Sequence, residues 1–513
     1  MKSESNCWGL VLDIDRRWRR RLLACVASLA TLALMVLTEP RMAIVWDEGY
    51  TLGRENRIRL WFQALADPVG FSAKWVPPNP MTELVQQDAI RAPRPEQIDT
   101  RAKLFEPEVI AWFWPFAREE PHGHPPFYAI VGLIGDLVVP TWAELPRARF
   151  GPMLVFSLTA GCLFGFTARR SGLLIACLAT GAWSLQPQLF GHAHYAAYDA
   201  LLTCLWVNAI IAFQLAAETD DEKRPIDRVW WIWAIGLGII FGCAADTKLT
   251  GWFLPLPFLV WSVAYRSRHA FRVAMIAAPV AIVTLYLANP GWWASPLGGI
   301  VRFLQSNLTR GKSIPIEVLF LGKVYNTPVE SLPWYNTIVW TLMAAPVGFL
   351  VLALIGTVSS LRSFKRESFG VLVVLHWAFL LALRALPHTP GHDGVRLFLP
   401  AFGMVAMLAG QGGNVVSSRS IKWGRIVIGA ALIEGLVSVL AMMPVPLSYF
   451  SPIVGGLPGA TAIGMEPTYY WDSLDTDALD YLNTHTQTGE VVQFATFPHS
   501  FIYLRQTGQL KAP

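Results

Sequence analysis

Long charge-free apolar runs recur along this chain, and nothing else in it restricts the possible folds so strongly. Arg21 is followed by LLACVASLATLALMVLT, about 17 residues without a charge. That is close to the length a helix needs to cross the hydrocarbon of a bilayer. Similar runs return as far as Met443. Only 15% of the 513 residues are charged, against roughly 25% in soluble globular proteins. Much of the surface therefore faces lipid. Inside lipid every backbone polar group must be satisfied within the chain, so runs of this length become helices. The expected fold class is an all-α polytopic membrane protein of about eleven transmembrane helices. Its membrane domain spans residues 1–443, with a small extracytoplasmic C-terminal segment at 444–513. Tryptophans cluster at the ends of runs, as at Trp46, Trp230, Trp231, Trp292, Trp293 and Trp334, where an indole finds both an apolar and a wet neighbourhood.

Charge sets the expected sidedness. Five arginines stand at Arg16, Arg17, Arg19, Arg20 and Arg21, before the first run. They place the N-terminus in the cytoplasm by the positive-inside rule. Further basic clusters fall at 220–228, at Arg266–Arg272, at Arg362–Arg366 and at Arg419–Arg425. Between them apolar runs go out and back: 199–217 with 229–246, 252–265 with 272–288, 338–360 with 369–386, and 397–412 with 425–443. A net charge of +5 is thus a topological signal rather than a sign of nucleic-acid binding. The stretch 126–141 contains Asp136 and ends at Pro140, and it is expected to dip into the interface without crossing. The N-terminal run lacks a small-x-small cleavage site and reads as a retained first helix. None of the six cysteines lies in a long hydrophilic stretch, which argues against a disulfide-stapled outer domain.

The outer surface is then made of loop 41–125, a turn at 192–199, loop 289–337, a turn at 388–396, and the tail from 444. In the first loop, Ile58, Trp61, Phe62 and Leu65, and again Ile110, Phe113, Trp114 and Ala117, recur at helical spacing. They predict amphipathic helices along the membrane face. The tail predicts a helix near 473–483 and a strand near 491–497, a small α/β unit.

Chemistry-bearing residues gather on that outer face. Asp47-Glu48 follows the first helix, and His122-Gly123-His124-Pro125-Pro126 precedes the stretch at 126–141. His192, His194, Tyr195, Tyr198 and Asp199 lead into the run at 199–217, and Lys248 lies in Asp246-Thr247-Lys248-Leu249-Thr250-Gly251. His392, Asp393 and Arg396 share a Gly- and Pro-rich turn. Each has a plainer explanation. Asp199 would cap a helix, Lys248 would snorkel, and two histidines with one residue between them are a weak metal signal. Lys248 and Arg396 nevertheless are cations on the face that the positive-inside rule disfavours, and a phosphate would suit the planar fork of Arg396.

In order, these motifs resemble the GT-C superfamily of membrane glycosyltransferases, in particular the branch of the protein O-mannosyltransferases and aminoarabinose lipid A transferases (glycosyltransferase family 39-like). The likeness covers roughly residues 20–260 by motif and the rest by hydropathy, and the Trp334-Tyr335 and HDGVRLFLP stretches resemble a bacterial subset. Two features depart from the pattern: only Gly49 separates the acidic pair from a tyrosine, and the tail is short. Both bear on acceptor identity. The resemblance implies a transferase that takes a sugar from a polyprenyl-phosphate donor at the extracytoplasmic face and passes it to a protein, lipid or glycan acceptor. By matching position, Asp47, Glu48 and Asp199 become the catalytic residues. Lys248 and Arg396 become the donor-phosphate contacts, and His124, His192, His194, His392 and Asp393 are further candidates. Asp47 as general base would take the acceptor proton in a single inverting displacement. Beside a second carboxylate in a partly buried site, its pKa is expected to be raised. No nucleotide-binding loop is evident and no cofactor follows from the motifs, with a divalent metal left open. A transporter or flippase of lipid-linked sugars would use the same outer cations without a base, and a structural subunit of an envelope complex is a third reading.

Overall fold

The computed structural model describes residues 5–75, 98–114, 124–217, 227–313, 317–326, 330–387, 389, 394–470, 472–494 and 498–512. It is almost wholly helical. Seven of its helices are long and apolar enough to cross a bilayer: Trp18–Arg41, Glu144–Ser171, Tyr198–Ala217, Arg228–Ala245, Arg268–Ala288, Ser368–Ala385 and Ile421–Met442. Leu173–Ser184 and Pro187–His194, bent by 61° at their break, make an eighth if counted as one span. Pro187 causes the break, because it has no N–H to continue the helix.

The other three of the eleven expected crossings differ from simple spans. The run 338–360 is split into Asn336–Ala344 and Val347–Arg362. Ala345 between them is extended, at φ −119° and ψ 147°, as the steric demand of Pro346 on its predecessor requires. The run 252–265 is a short 3₁₀ turn followed by the helix Pro255–Ala264. Pro400–Arg419 is 20 residues long, but its second half is Gly-, Asn- and Ser-rich. It needs little lipid-facing surface, since Pro400–Gly410 is buried without a break. Against it packs Val347–Arg362, at backbone contact. A Cβ on Gly356 would lie 2.1 Å from the Leu408 carbonyl oxygen, and one on Gly412 would lie 1.9 Å from that of Leu352. This is small-residue packing of the kind that joins helices in lipid.

The stretch 126–141 forms two short helices, Phe127–Gly132 and Ile134–Val138. At 1.5 Å per residue they cover about 18 Å, short of the roughly 30 Å hydrocarbon core. Asp136 is held by Arg59 at 2.7 Å and Arg147 at 2.9 Å. In the first loop, the helices Trp46–Ala66 and Pro107–Phe113 carry the predicted apolar faces. Ile58, Trp61, Ile110 and Phe113 are buried in one cluster with Tyr128 and Tyr198, so the loop is docked onto the bundle. Ala117 lies outside the described residues.

The tail is corrected in one respect. Its helix is Thr476–His485, capped by Asp475, but Val491–Phe494 forms no strand and Val491 is 77% exposed. A strand needs a ladder partner, and among the described residues the one hairpin, Glu317–Phe320 with Lys323–Asn326, pairs only with itself. Nor does the tail stand apart. The Ser500 hydroxyl donates to the Val45 carbonyl at 3.1 Å, and the Ser451 amide donates to the Met343 carbonyl at 2.6 Å.

Helix ends sort into two sets, as the charge pattern predicts. The start of Tyr198–Ala217, the end of Arg228–Ala245 and the lead into Pro400–Arg419 meet at one pole. Arg170, Ala217, Arg266–Arg272, Lys365 and Arg366 meet at the other.

Candidate active site

The helix Trp46–Ala66 starts directly after the first span, and its first turn holds Asp47 and Glu48. Neighbouring helix positions point about 100° apart, so the two carboxylates part company. Glu48 turns inward and is fully buried. It accepts from Arg149 through both oxygens at 2.7 Å, from the Ala196 amide at 2.9 Å and from the Val45 amide at 3.0 Å. Arg149 also reaches Glu39 at 3.0 Å and the carbonyls of Met42 and Ala43. This geometry makes Glu48 a clasp joining three chain segments, with its lone pairs already engaged.

Asp47 faces a cluster of charge. Its Oδ2 accepts from Tyr198 at 2.5 Å and from Tyr470 at 2.7 Å, and lies 2.8 Å from Arg396. The Arg396 guanidinium also donates to Asp199 at 3.0 Å and to the Tyr198 hydroxyl at 2.6 Å. Lys248 completes the set by contacting the other oxygen of Asp199 at 2.5 Å. Asp199 is 2% exposed, Lys248 5% and Arg396 6%. Two carboxylates and two cations thus alternate in a site nearly closed to water. Aromatic rings wall it: Arg396 lies 4.4 Å from the centroid of Tyr470 and Lys248 4.9 Å from that of Tyr198.

Each member arrives from a different segment, for local reasons. Asp199 sits in the first turn of Tyr198–Ala217, where a carboxylate is favoured by the helix dipole. Lys248 follows Arg228–Ala245 in an extended conformation, held as Gly251 packs so closely on Ala244 that a Cβ there would lie 2.1 Å from its carbonyl oxygen. Arg396 opens the 3₁₀ turn ahead of Pro400.

The expected rise in the Asp47 pKa is not found. Burial alone would raise it. The Arg396 charge, the Tyr198 and Tyr470 hydrogen bonds and the Lys248 charge together outweigh burial and hold the carboxyl below its ordinary value. The expectation assumed Glu48 as the neighbour, and Glu48 faces Arg149.

His124 is buried with its ring 3.8 Å from that of Tyr198, which puts it at the edge of the cluster. His192 borders it through Tyr470, at 5.5 Å between rings. His194 is elsewhere. Its Nε2 meets Thr38 at 2.9 Å and its Nδ1 meets the Phe190 carbonyl at 2.7 Å, so it ties the bent span to the first helix. His392 and Asp393 lie outside the described residues. Among the described residues no three His, Cys, Asp or Glu side chains converge to hold a metal ion. Sequence reasoning missed Tyr470 and Arg149 as participants and left Tyr198 without a role. Only Tyr198 carried a signal, standing next to Asp199 in the motif.

The family model described as dolichyl-phosphate-mannose-protein mannosyltransferase matches residues 134–271, a segment that includes Asp199 and Lys248. No curated protein matches the sequence. Among solved structures, ArnT from Cupriavidus metallidurans bound to undecaprenyl phosphate is 16% identical with a TM-score of 0.51, over 84% of this chain and 65% of that one. The apo state of the same protein gives 16% identity and a TM-score of 0.50, over 84% and 64%. The archaeal oligosaccharyltransferase AglB from Archaeoglobus fulgidus, in complex with an inhibitory peptide and a dolichol-phosphate, is 13% identical over 95% of this chain and 60% of that one. Its TM-score is 0.47. The chain spans just under two thirds of the length of the ArnT structures. What these likenesses establish is the architecture: this chain has the fold of the ArnT structures.

Proposed function

We propose that the protein transfers a sugar from a polyprenyl-phosphate donor to an acceptor hydroxyl at the extracytoplasmic face of the membrane. The observation that carries this reading is the closed network Asp47–Arg396–Asp199–Lys248 at one pole of the bundle. The donor is a phosphodiester and its leaving group, polyprenyl phosphate, gains a negative charge as the anomeric bond breaks. Lys248 and Arg396 are placed to receive that charge in a site of low dielectric, where such stabilisation is strongest. The acceptor oxygen attacks the anomeric carbon. The electron pair of the broken bond goes to the phosphate oxygen, and the acceptor proton goes to Asp47. One displacement of this kind inverts the anomeric carbon.

The lowered pKa of Asp47 fits this scheme. A base held down by Arg396 is a weak base. When donor phosphate takes up the charge of Arg396 and Lys248, that restraint is relieved and Asp47 becomes more basic just as a proton must be accepted. Asp199 keeps both cations oriented. The acceptor, whether protein, lipid or glycan, and the hexosyl or pentosyl identity of the sugar are matters for substrate screening. The sidedness rests on the basic clusters at the opposite pole, which put the N-terminus in the cytoplasm and the C-terminal segment outside.

A transporter of lipid-linked sugars would be expected to carry its working charges near the bilayer midplane, often between repeats. Here the four charged groups sit at helix ends. Incubating purified protein with a panel of polyprenyl-phosphate sugars and candidate acceptors, and measuring free polyprenyl phosphate, tests the reading. Transfer predicts release, and a transporter gives none.

A further inference from the structure

At the pole opposite Asp47, a cavity of about 540 Å³ opens among the helix ends. Six cationic side chains from three separate turns line it: Arg170, then Arg266, Arg268 and Arg272, then Lys365 and Arg366. No described carboxylate lines it. The helices Arg268–Ala288 and Ser368–Ala385 begin at its wall, so the positive ends of two long helix dipoles add to the same field.

Sidedness alone accounts for basic loops, but not for three further features. Arg266 has a φ of +50°, in the left-handed region that L residues avoid and glycine occupies freely. A cation is kept there at the cost of backbone strain. His269 is 8% exposed and Gln214 2%. Both line the cavity, and among the described residues His269 Nδ1 and Gln214 Oε1 meet no hydrogen-bond partner, a condition that calls for a bound molecule or water. The third feature is an adjoining apolar groove of about 250 Å³, between the helices Tyr198–Ala217, Arg228–Ala245, Pro255–Ala264 and Arg268–Ala288. Chain neighbours divide the two spaces. Phe213, Ser262 and Ala270 face the groove, while Gln214, Trp261 and His269 face the basic cavity. The partition is aromatic, with Phe213 stacked on Phe258 at 4.3 Å and 5.4 Å from Trp261.

We propose that this pole holds an anionic phospholipid, its phosphate headgroup in the basic cavity and an acyl chain in the apolar groove. Positive charge gathered this closely favours an anion among it. A groove lined by apolar side chains apart from Ser262, at the level of the spans, suits a lipid chain and no soluble phosphate ester. The site is remote from the Asp47 cluster, and the inference does not depend on what reaction that cluster performs.

The test uses delipidated full-length protein in neutral detergent, titrated with phosphatidylglycerol, with phosphatidylcholine and with inorganic phosphate, and read by native mass spectrometry and thermal midpoint. Wild type should prefer phosphatidylglycerol strongly over phosphatidylcholine. The variant R268Q/R272Q/R366Q should bind phosphatidylglycerol roughly 100-fold more weakly, three cations each contributing about fivefold. A274W, which fills the groove and keeps every charge, should lose phosphatidylglycerol while binding inorganic phosphate as wild type does, and it stands as the test should the triple variant fail to fold. Equal binding of the two lipids by wild type overturns the proposal, as does retention of the preference in the triple variant. Phosphatidylglycerol binding untouched by A274W overturns it in favour of a site for soluble phosphate.

Discussion

Replacing Glu48 with Gln separates the anchoring role that the geometry gives this residue from the catalytic role expected from its place beside Asp47. The side chain is fully buried and accepts four hydrogen bonds, two of them from Arg149 at 2.7 Å. Glutamine keeps the shape but turns one acceptor into a donor. That amide would face Arg149 Nη2 and the Val45 amide, both donors themselves. Breaking a buried ion pair costs about 3–5 kcal/mol. Arg149 retains Glu39 at 3.0 Å and two backbone carbonyls, so the lower end, about 3 kcal/mol, is expected. The assay is thermal unfolding in detergent followed by tryptophan fluorescence, with donor binding and sugar transfer measured well below the midpoint. Glu48→Gln should unfold at a clearly lower temperature, yet retain donor binding and transfer within about tenfold when folded. An unchanged midpoint together with abolished transfer would refute the anchoring argument and return Glu48 to the chemistry.

Tyr470→Phe removes a 2.7 Å hydrogen bond to Asp47 and so lets its carboxyl rise toward the ordinary range. Since Asp47 must be ionised to act as base, the acid limb of kcat/KM should move to higher pH, and a pH–rate profile that stays in place would exclude the contact from the active state. The same lowered pKa contributes stability that is present above the ordinary carboxylate value and is lost as pH falls through the depressed one. Lys248→Ala should weaken donor binding by about tenfold or more, since a hydrogen bond to a charged group is worth roughly 1.5–3 kcal/mol. Unaltered donor affinity in an equilibrium binding assay would remove Lys248 from the phosphate site. Single cysteines at Asn483 and at Arg266 should react with an impermeant thiol reagent from opposite sides of the membrane, the first from outside, and labelling from one side would break the topology.

The bundle could be read from the sequence because its causes are local. A charge-free run is a helix wherever lipid surrounds it, and the basic clusters sort its ends. The run at 338–360 reads as one helix because hydropathy does not register what Pro346 does to Ala345. Pro400–Arg419 reads as a span only as far as 412, because beyond its buried apolar half it carries Gly413 and the exposed Asn414. Four of the charged residues proposed from motif order, Asp47, Asp199, Lys248 and Arg396, do meet in space. Tyr470 reaches Asp47 across 423 positions of chain, and no spacing rule could have announced it. The opposite orientations of Asp47 and Glu48 follow from the helix beginning at Trp46, but the partner that captures Glu48, Arg149, lies just before an apolar run, beside Arg147, where it reads as an ordinary flanking charge. Of the strand expected at 491–497, residues 495–497 lie outside the described residues and 491–494 form none, because alternation gives a strand its face and cannot supply its neighbour.

Asp47→Asn tests the central claim most directly. The substitution preserves shape and most hydrogen bonding but removes the proton acceptor, and loss of general-base assistance typically costs 10²–10⁴-fold. Donor binding and release of free polyprenyl phosphate are to be measured on the same preparations of wild type and variant. The account predicts that wild type cleaves the sugar–phosphate bond in the presence of acceptor, and that Asp47→Asn binds the donor yet turns over at least 100-fold more slowly. Sugar transfer at the wild-type rate by Asp47→Asn would contradict it.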